Sequence, residues 1–414
     1  MEDVFITGTS IISSFGNEKQ TWEGILSGDN YPQQREYNLS NQEKLQYPVY
    51  QIEDDLIERI NKQYSHITIR EEFLRDDKDF KLLFLATLEA LRNANLHLPN
   101  EKRIGLIIGH ENLGVNPLID SLLQEDNKMD IKNPINSFNH YKDKFFRLQT
   151  YTYLYYLAKL ININGPTYAI NNACASGQYA LELANSLLKM NHADIVIVVA
   201  GDYAHFTEHL WLSEKGFSSN NGKLAPFTDT SSGSVLGDGV GAIILESETN
   251  ISRRNAISKA KYINSSFSQD TWRINLPDVT TNSYEKVIKT SLSKYKGKPE
   301  LVIPHGTGIP LWDKYESNGI KKAFESFRYS VPDVTAFKGY IGHTLGANSL
   351  IELILGINIF KNSVIPPITH RTINNSSEYD LPLVNTIIEK EVKSFIKTVA
   401  AYGGFNAATI IEKI

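Results

Sequence analysis

The chain has 414 residues, 41% of them hydrophobic and 21% charged, with a net charge of −5. That composition gives ample material for a buried core in one or two domains. It excludes a nucleic-acid track, because no basic run is long enough to follow a phosphate backbone, and a membrane span, because no apolar run approaches the roughly 20 residues one needs.

At the start, VFITGT from Val4 reads as a strand. The opening MEDVFITGTS lacks the basic region and apolar stretch of a secretion signal, so a cytoplasmic location is expected. Residues 33–69 are polar with no clear period and read as a surface excursion. Next, Arg70, Arg75, Lys78 and Lys81 interleave with Glu71, Glu72, Asp76, Asp77 and Asp79, the pattern of a solvated helix face. RIGLIIG from Arg103 reads as a strand, and residues 118–151 mix amphipathic helix with loop in a second excursion. ADIVIVVAGD from Ala193, VGAIILE from Val240 and ELVIPHG from Glu300 read as further strands between helical stretches, which defines an α/β chain. Their consecutive apolar positions predict a sheet covered by helices on both faces. No internal repeat at solenoid spacing is visible.

Two stretches resemble each other. NNACASGQYALELANSLLKM from Asn171 and KGYIGHTLGANSLIELILGINIF from Lys338 each place a functional-looking residue among small ones, ahead of an apolar helix. In the second, Leu350, Ile351, Leu353, Ile354, Ile357 and Phe360 cover most of the circumference, so this helix is expected to be buried on all sides.

Four features could carry chemistry. Cys174 is the single cysteine and can form neither an internal disulfide nor a thiolate cluster. It is either a small buried filler or a reactive thiol whose thiolate the start of a helix would stabilise. His305 follows an apolar strand, where open α/β sheets bind ligands, although a strand-end histidine also serves as a structural group. Lys338 and His343 stand at the mouth of the buried helix with Glu352 inside it, and such groups need mutual pairing away from water. Tyr402, Gly403, Gly404 and Phe405 form either a loop approaching a ligand or a tight turn between final strands. The ten histidines are too scattered to suggest a metal site.

In this order the four features resemble the β-ketoacyl synthases of the thiolase superfamily, particularly the carrier-protein-dependent elongating enzymes. ACASG resembles the family's nucleophile motif, PFTDTSSGSVLGDGVGAIILE its glycine-rich segment, HGTGIPLWDKYE and KGYIGHTLGA its two histidine motifs, and YGGFNA its closing loop. The resemblance implies a five-layered αβαβα fold of two related halves, 1–250 with the nucleophile and 251–414 with both histidines. It implies a homodimer or a heterodimer with a related chain, an acyl carrier protein as partner, substrates delivered on phosphopantetheine, and neither metal nor other cofactor. Cys174 would accept the acyl group, while His305 and His343 promote decarboxylation of a malonyl-type extender and stabilise the enolate. Lys338 and Glu352 would support the histidines, and the backbone N–H groups of Cys174 and Tyr402 would form the oxyanion hole. Both imidazoles could donate through Nε2 while neutral, given a partner that fixes the tautomer at Nδ1.

Some positions depart from the family pattern. Thr307 keeps one of two pantetheine-binding threonines, but Ile309 replaces the other. His110, Glu111 and Asn112 stand where a glycine-rich turn and an apolar residue line the acyl pocket. Tyr402 replaces a phenylalanine, and Asp238 a glutamate. Polar groups beside an alkyl chain are costly unless paired, so a short, polar or unusual acyl donor is expected. Decarboxylative condensation, in a fatty-acid-like or specialised polyketide pathway, is the leading reading. Acyl transfer to an amine or alcohol is the alternative, and retained Cys174, His305 and His343 weigh against a non-catalytic partner chain.

Overall fold

Strand pairing repeats one pattern twice along the chain, whose computed structural model describes residues 2–28, 30–38, 43–98, 102–116, 118–119, 133–369 and 379–414. The first half supplies β1 (Val4–Ser13), β2 (Ile104–Gly109), β3 (Thr167–Ile170), β4 (Ile195–Asp202) and β5 (Gly239–Ser247). In space they run β3-β2-β4-β5-β1, with β3, β2 and β4 parallel and β5 antiparallel to both neighbours. The second half supplies β6 (Ala260–Gln269), β7 (Leu301–Ile303), β8 (Asp333–Val334), β9 (Ser394–Ala400) and β10 (Phe405–Glu412). These run β8-β7-β9-β10-β6, with the same parallel triplet and the same antiparallel fourth member. Val4 to Ile6 of β1 pair with Ala260 to Tyr262 of β6 and join the two halves.

Helices α1 (Lys78–Asn93), α2 (Ser176–Lys189), α3 (Phe206–Glu214), α4 (Ser283–Ser293), α5 (Pro310–Ser326) and α6 (Asn348–Asn362) complete the layers. α1 covers the outer face of the first sheet, α4 and α5 cover the outer face of the second, and α2 and α6 lie between them. The apolar runs follow from this sandwich. Alternate residues of β4 point to opposite faces, so Ile195, Ile197 and Val199 join the core beneath α1, while Val196, Val198 and Ala200 join the core around α2 and α6. Every residue of α6 from Asn348 to Phe360 is buried, as its all-round apolar pattern predicts.

The two similar stretches end up back to back. A Cβ on Gly177 of α2 would lie 2.8 Å from Ser349 Oγ and 2.9 Å from Leu350 Cβ of α6. Only glycine lets the helices approach so closely, and that approach sets the Cys174 turn beside the mouth of α6.

Two readings need correction. Residues 33–69 are no mere excursion: Gln33–Asn38 and Lys44–Tyr50 form a small sheet with Leu236–Gly237, burying Tyr47, Val49 and Tyr50. Leu45, Tyr47 and Val49 alternate with polar Lys44 and Gln46, a period of two masked by the surrounding charge. Arg35 pairs with the buried Asp238 and fastens this sheet to the glycine-rich segment. The solvated-face reading also fails for Asp77 and Asp79, which are buried. Asp77 caps α1 through Phe80 N–H, and Asp79 accepts from Tyr203 N–H at 2.7 Å. Part of the second excursion lies outside the described residues, and Pro134–Arg147 is a helix. Among the described residues no helix is long and apolar enough to cross a membrane.

Candidate active site

Cys174 occupies the turn before α2. Ala173 there takes a left-handed backbone, φ +49, and Ser176 locks the turn by accepting from Asn172 N–H at 2.8 Å and donating to Ala173 O at 2.6 Å. The cysteine is buried at the bottom of a cavity of about 460 Å³.

His305 follows β7. Its backbone N–H and that of Gly306 donate to the two carboxyl oxygens of Glu316 on α5, at 2.7 and 3.1 Å. His343 is held by the glycine-rich segment: its N–H donates to Val235 O at 2.8 Å, and Gly237 N–H returns a bond to His343 O at 3.0 Å. A side chain on Gly237 would sit 2.1 Å from Ile341 O, so this close strand-like pairing requires glycine.

The tautomers follow from the neighbours. Leu345 N–H donates to His343 Nδ1 at 3.0 Å. The Asn348 amide nitrogen lies 3.3 Å from His305 Nδ1 and 3.4 Å from the Glu352 carboxylate. A nitrogen that faces a carboxylate is the donating side of the amide, so it also donates to His305. Both Nδ1 atoms therefore accept, and each neutral ring carries its proton on Nε2. The rings meet nearly at right angles, 84°, with centroids 5.2 Å apart, and the donor atoms of Cys174, His305 and His343 lie within 4.8 Å of one another. That spacing would also suit a metal ion. A ligating imidazole needs a free lone pair, and here the Nδ1 lone pairs are engaged while Nε2 is protonated, so the set presents two N–H donors to a substrate oxygen.

Burial makes the charged form of each ring costly. It drives His305 well below its ordinary value and His343 down to about 3, and the Lys338 ammonium adds to both shifts. Both imidazoles are neutral at physiological pH. For Cys174 the helix-start expectation fails: burial first, and Glu111 second once it ionises, push the thiol well above its usual value. Its resting form is the thiol.

Lys338 and Glu352 lie behind the cavity, paired at 3.0 Å and fully buried. Lys338 also donates to His305 O. The sequence reading missed a second lysine: Lys397 of β9 meets the other Glu352 oxygen at 2.5 Å and donates to Pro304 O at 2.9 Å. A lysine inside the apolar run FIKTVA was the available signal, and Glu316 and Asn348 were likewise passed over.

The remaining expected residues line the cavity. Thr307 and Ile309 are buried at the start of α5, where Ile309 N–H donates to Thr307 Oγ1 at 3.4 Å. Tyr402 packs edge-on against Trp211 and Trp312, with centroids 5.0 and 5.8 Å away. Gly403 turns with φ +74 and donates its N–H to Ile274 O at 2.6 Å. Phe405 lies edge-on to Tyr179, centroids 6.0 Å apart. Glu111 and Asn112 form the opposite wall, tied to the carboxylate of Asp202 at the end of β4 through their backbone N–H groups. The same carboxylate accepts from Gly346 N–H at 2.8 Å, which links this wall to the His343 segment. In a Gly346→Ala variant the new Cβ would lie 2.6 Å from Asp202 Oδ2 and 2.9 Å from the His110 carbonyl carbon. Overpacking of this kind is expected to cost about 1–3 kcal/mol, read as a lowered melting temperature together with reduced turnover.

Residues 1–250 match the profile of the beta-ketoacyl synthase N-terminal domain, and residues 260–372 that of the C-terminal domain. The chain therefore belongs to the β-ketoacyl synthase family. It is 26% identical over 263 residues to 3-oxoacyl-[acyl-carrier-protein] synthase 2 of Coxiella burnetii, a match covering 61% of this chain and 63% of that protein. It is 22% identical over 429 residues to 3-oxoacyl-[acyl-carrier-protein] synthase 1 of Buchnera aphidicola subsp. Baizongia pistaciae, covering both chains fully. Its fold is similar to that of the ishigamide ketosynthase/chain length factor, with a TM-score of 0.82, 19% identity, and 100% and 99% of the two chains covered. A beta-ketoacyl synthase from Burkholderia phymatum aligns over both whole chains at a TM-score of 0.80 and 16% identity. The architecture is thus the thiolase-like ketosynthase fold.

Proposed function

We propose that the chain is a condensing enzyme that joins a Cys174-bound acyl group to a malonyl-type extender with loss of carbon dioxide, in fatty-acid-like or polyketide synthesis. The observation that carries this reading is the convergence of one buried thiol and two Nε2–H donors in one cavity. The thiol adds to the carbonyl of an acyl thioester, the bond to the pantetheine sulfur breaks, and the thiol proton leaves on that sulfur. The extender then enters. As its carboxylate departs as carbon dioxide, the electron pair collects on the thioester oxygen, where His305 and His343 donate. The enolate carbon bonds to the Cys174-bound carbonyl, the thioester to Cys174 breaks, and the thiolate regains a proton from solvent.

Neutral imidazoles suit this step, because each keeps its Nε2–H at physiological pH and can donate it as a hydrogen bond to the developing oxyanion. Lys338, Glu352 and Lys397 act as positioning residues behind the rings. Thr307 and Ile309 lie where the pantetheine arm would run, and the Cys174 and Tyr402 amides where the second oxyanion would form. We place the division of the chain near residue 250, with Cys174 before it and both histidines after it, and place the protein in the cytoplasm. The substrates arrive on an acyl carrier protein, as in the structural relative described as an acyl-carrier protein in complex with its ketosynthase. A dimer, with itself or a related chain, is supported by β3, which ends the main sheet and pairs on one side only among the described residues. An open strand edge is commonly covered by a partner.

The test is incubation with an acyl-carrier thioester and malonyl carrier protein, followed by intact-mass detection of acyl-Cys174 and of product. Malonyl-dependent product with carbon dioxide release is expected, and a Cys174→Ala variant should show neither loading nor product. Transfer of the acyl group to an added amine or alcohol without carbon dioxide release would overturn the reading.

A further inference from the structure

Three carboxyl groups gather at the Glu111 wall of the cavity, Glu111 and Glu208 lining it and Asp202 behind it, and two of them are satisfied. Asp202 accepts from the backbone N–H groups of Glu111, Asn112 and Gly346 at 3.1, 3.2 and 2.8 Å. Glu208 of α3 accepts from the Asn112 side-chain amide at 2.7 Å and from His205 N–H at 2.9 Å. Glu111 differs. Its carboxyl oxygen Oε2 is buried with no hydrogen-bond partner among the described residues, although the residue lines the same cavity as Cys174.

An orphaned buried oxygen is costly to leave without a partner, and a bound ligand that supplies the missing partner removes that cost. The groups facing Glu111 decide what kind of partner fits. They are Asp202 from the end of β4, Glu208 from α3, Cys174 from the turn before α2, and Tyr402 from the closing loop. No lysine or arginine among the described residues lines the cavity. Burial, with the negative charges of Asp202 and Glu208, pushes Glu111 up to about 8. At neutral pH it is therefore a carboxylic acid, able to donate one hydrogen bond. Asn112 holds Glu208 in place and is a positioning residue.

We propose that Glu111 selects the acyl group by donating a hydrogen bond to an oxygen that the chain carries close to its thioester. The preferred donors are then hydroxyacyl and ketoacyl thioesters rather than saturated ones. This rests on the reading of Cys174 as the acyl carrier. A saturated chain would lie against an unpaired acid, and a difference of about 1.4 kcal/mol is tenfold in rate.

The experiment measures Cys174 acylation by intact mass with carrier-protein thioesters of four-carbon acids: 3-hydroxybutyryl, 3-oxobutyryl, butyryl and 4-aminobutyryl. The two oxygenated donors are expected to load about tenfold faster than butyryl. Glu111→Leu should erase that preference. Glu111→Gln should keep most of it, because the amide N–H replaces the acid O–H. For the 3-oxo donor, the wild-type preference should fade as pH rises through about 8 and the acid ionises, while the Gln variant stays flat. A purely structural role for Glu111 would not produce that contrast. Equal loading of butyryl, a preference that survives Glu111→Leu, or fastest loading by the ammonium-bearing donor would each overturn the proposal. If no thioester loads Cys174, the functional reading itself falls and takes this inference with it, an outcome the same mass spectra distinguish.

Discussion

A His343→Ala variant should still form acyl-Cys174 yet lose condensation by about 10²–10³-fold, the usual effect of deleting one donor to a developing oxyanion. The separation of the two steps follows from the geometry. Loading needs the thiol and a thioester carbonyl, whereas in the proposed reaction decarboxylation would place charge on an oxygen that the Nε2–H groups of His305 and His343 would receive. Among the described residues His343 makes no hydrogen bond to the buried ion pairs, so its removal leaves Lys338, Glu352 and Lys397 in place. His343→Gln should recover part of the loss, since a glutamine amide nitrogen reaches about as far as Nε2. Single-turnover mass measurements of loading and product would check both variants. Loss of loading in step with condensation would count against the assigned role. The stability of the protein should also record the neutral ring. His343 titrates at about 3 when folded and near 6.5 when unfolded. Between these values the unfolded chain binds more protons, so stability falls as pH drops below about 6.5. His343→Gln should flatten that decline, measured as melting temperature against pH.

Strands with long apolar runs were legible because both sheet faces are covered, and β1, β2, β4, β5 and β7 lie where those runs placed them. The all-round burial of α6 was equally plain. What local pattern could not give was pairing across distance. His305 and His343 are 38 positions apart in sequence, and only the sandwich of two sheets on α2 and α6 brings their rings to 5.2 Å. The same limit hid Glu316, Asn348 and Lys397, whose roles depend on partners supplied by other strands and helices. The reading of Asp77 and Asp79 as solvated failed for a related reason: alternating charge says nothing about which side faces Tyr153 and Tyr203. The thiolate expectation for Cys174 failed because a helix end acts within one turn, and here burial outweighs it.

Glu352→Ala should be the most damaging change to stability. Glu352 stands between Lys338 at 3.0 Å and Lys397 at 2.5 Å, and all three side chains are fully buried. Removing the carboxylate leaves two ammonium groups without their counter-charge, and breaking a buried pair in this way costs about 3–5 kcal/mol. Burial already pulls Lys397 down to about 8 with Glu352 present. Without it, one lysine would give up its proton to avoid an unpaired charge. Denaturant midpoints should show the loss. Replacing the whole set, Lys338→Met with Glu352→Leu and Lys397→Met, should recover much of the stability, because a well-packed apolar triad needs no counter-charge. Turnover should not return with it. Lys338 donates to His305 O, Lys397 to Pro304 O, and Asn348 to both His305 Nδ1 and Glu352. The apolar triad deletes the donors that fix the His305 backbone and the carboxylate that orients the Asn348 amide, so the ring loses its defined tautomer. If the apolar triad condensed substrates at the wild-type rate, the buried charges would serve stability alone, and their role in aiming His305 would be excluded.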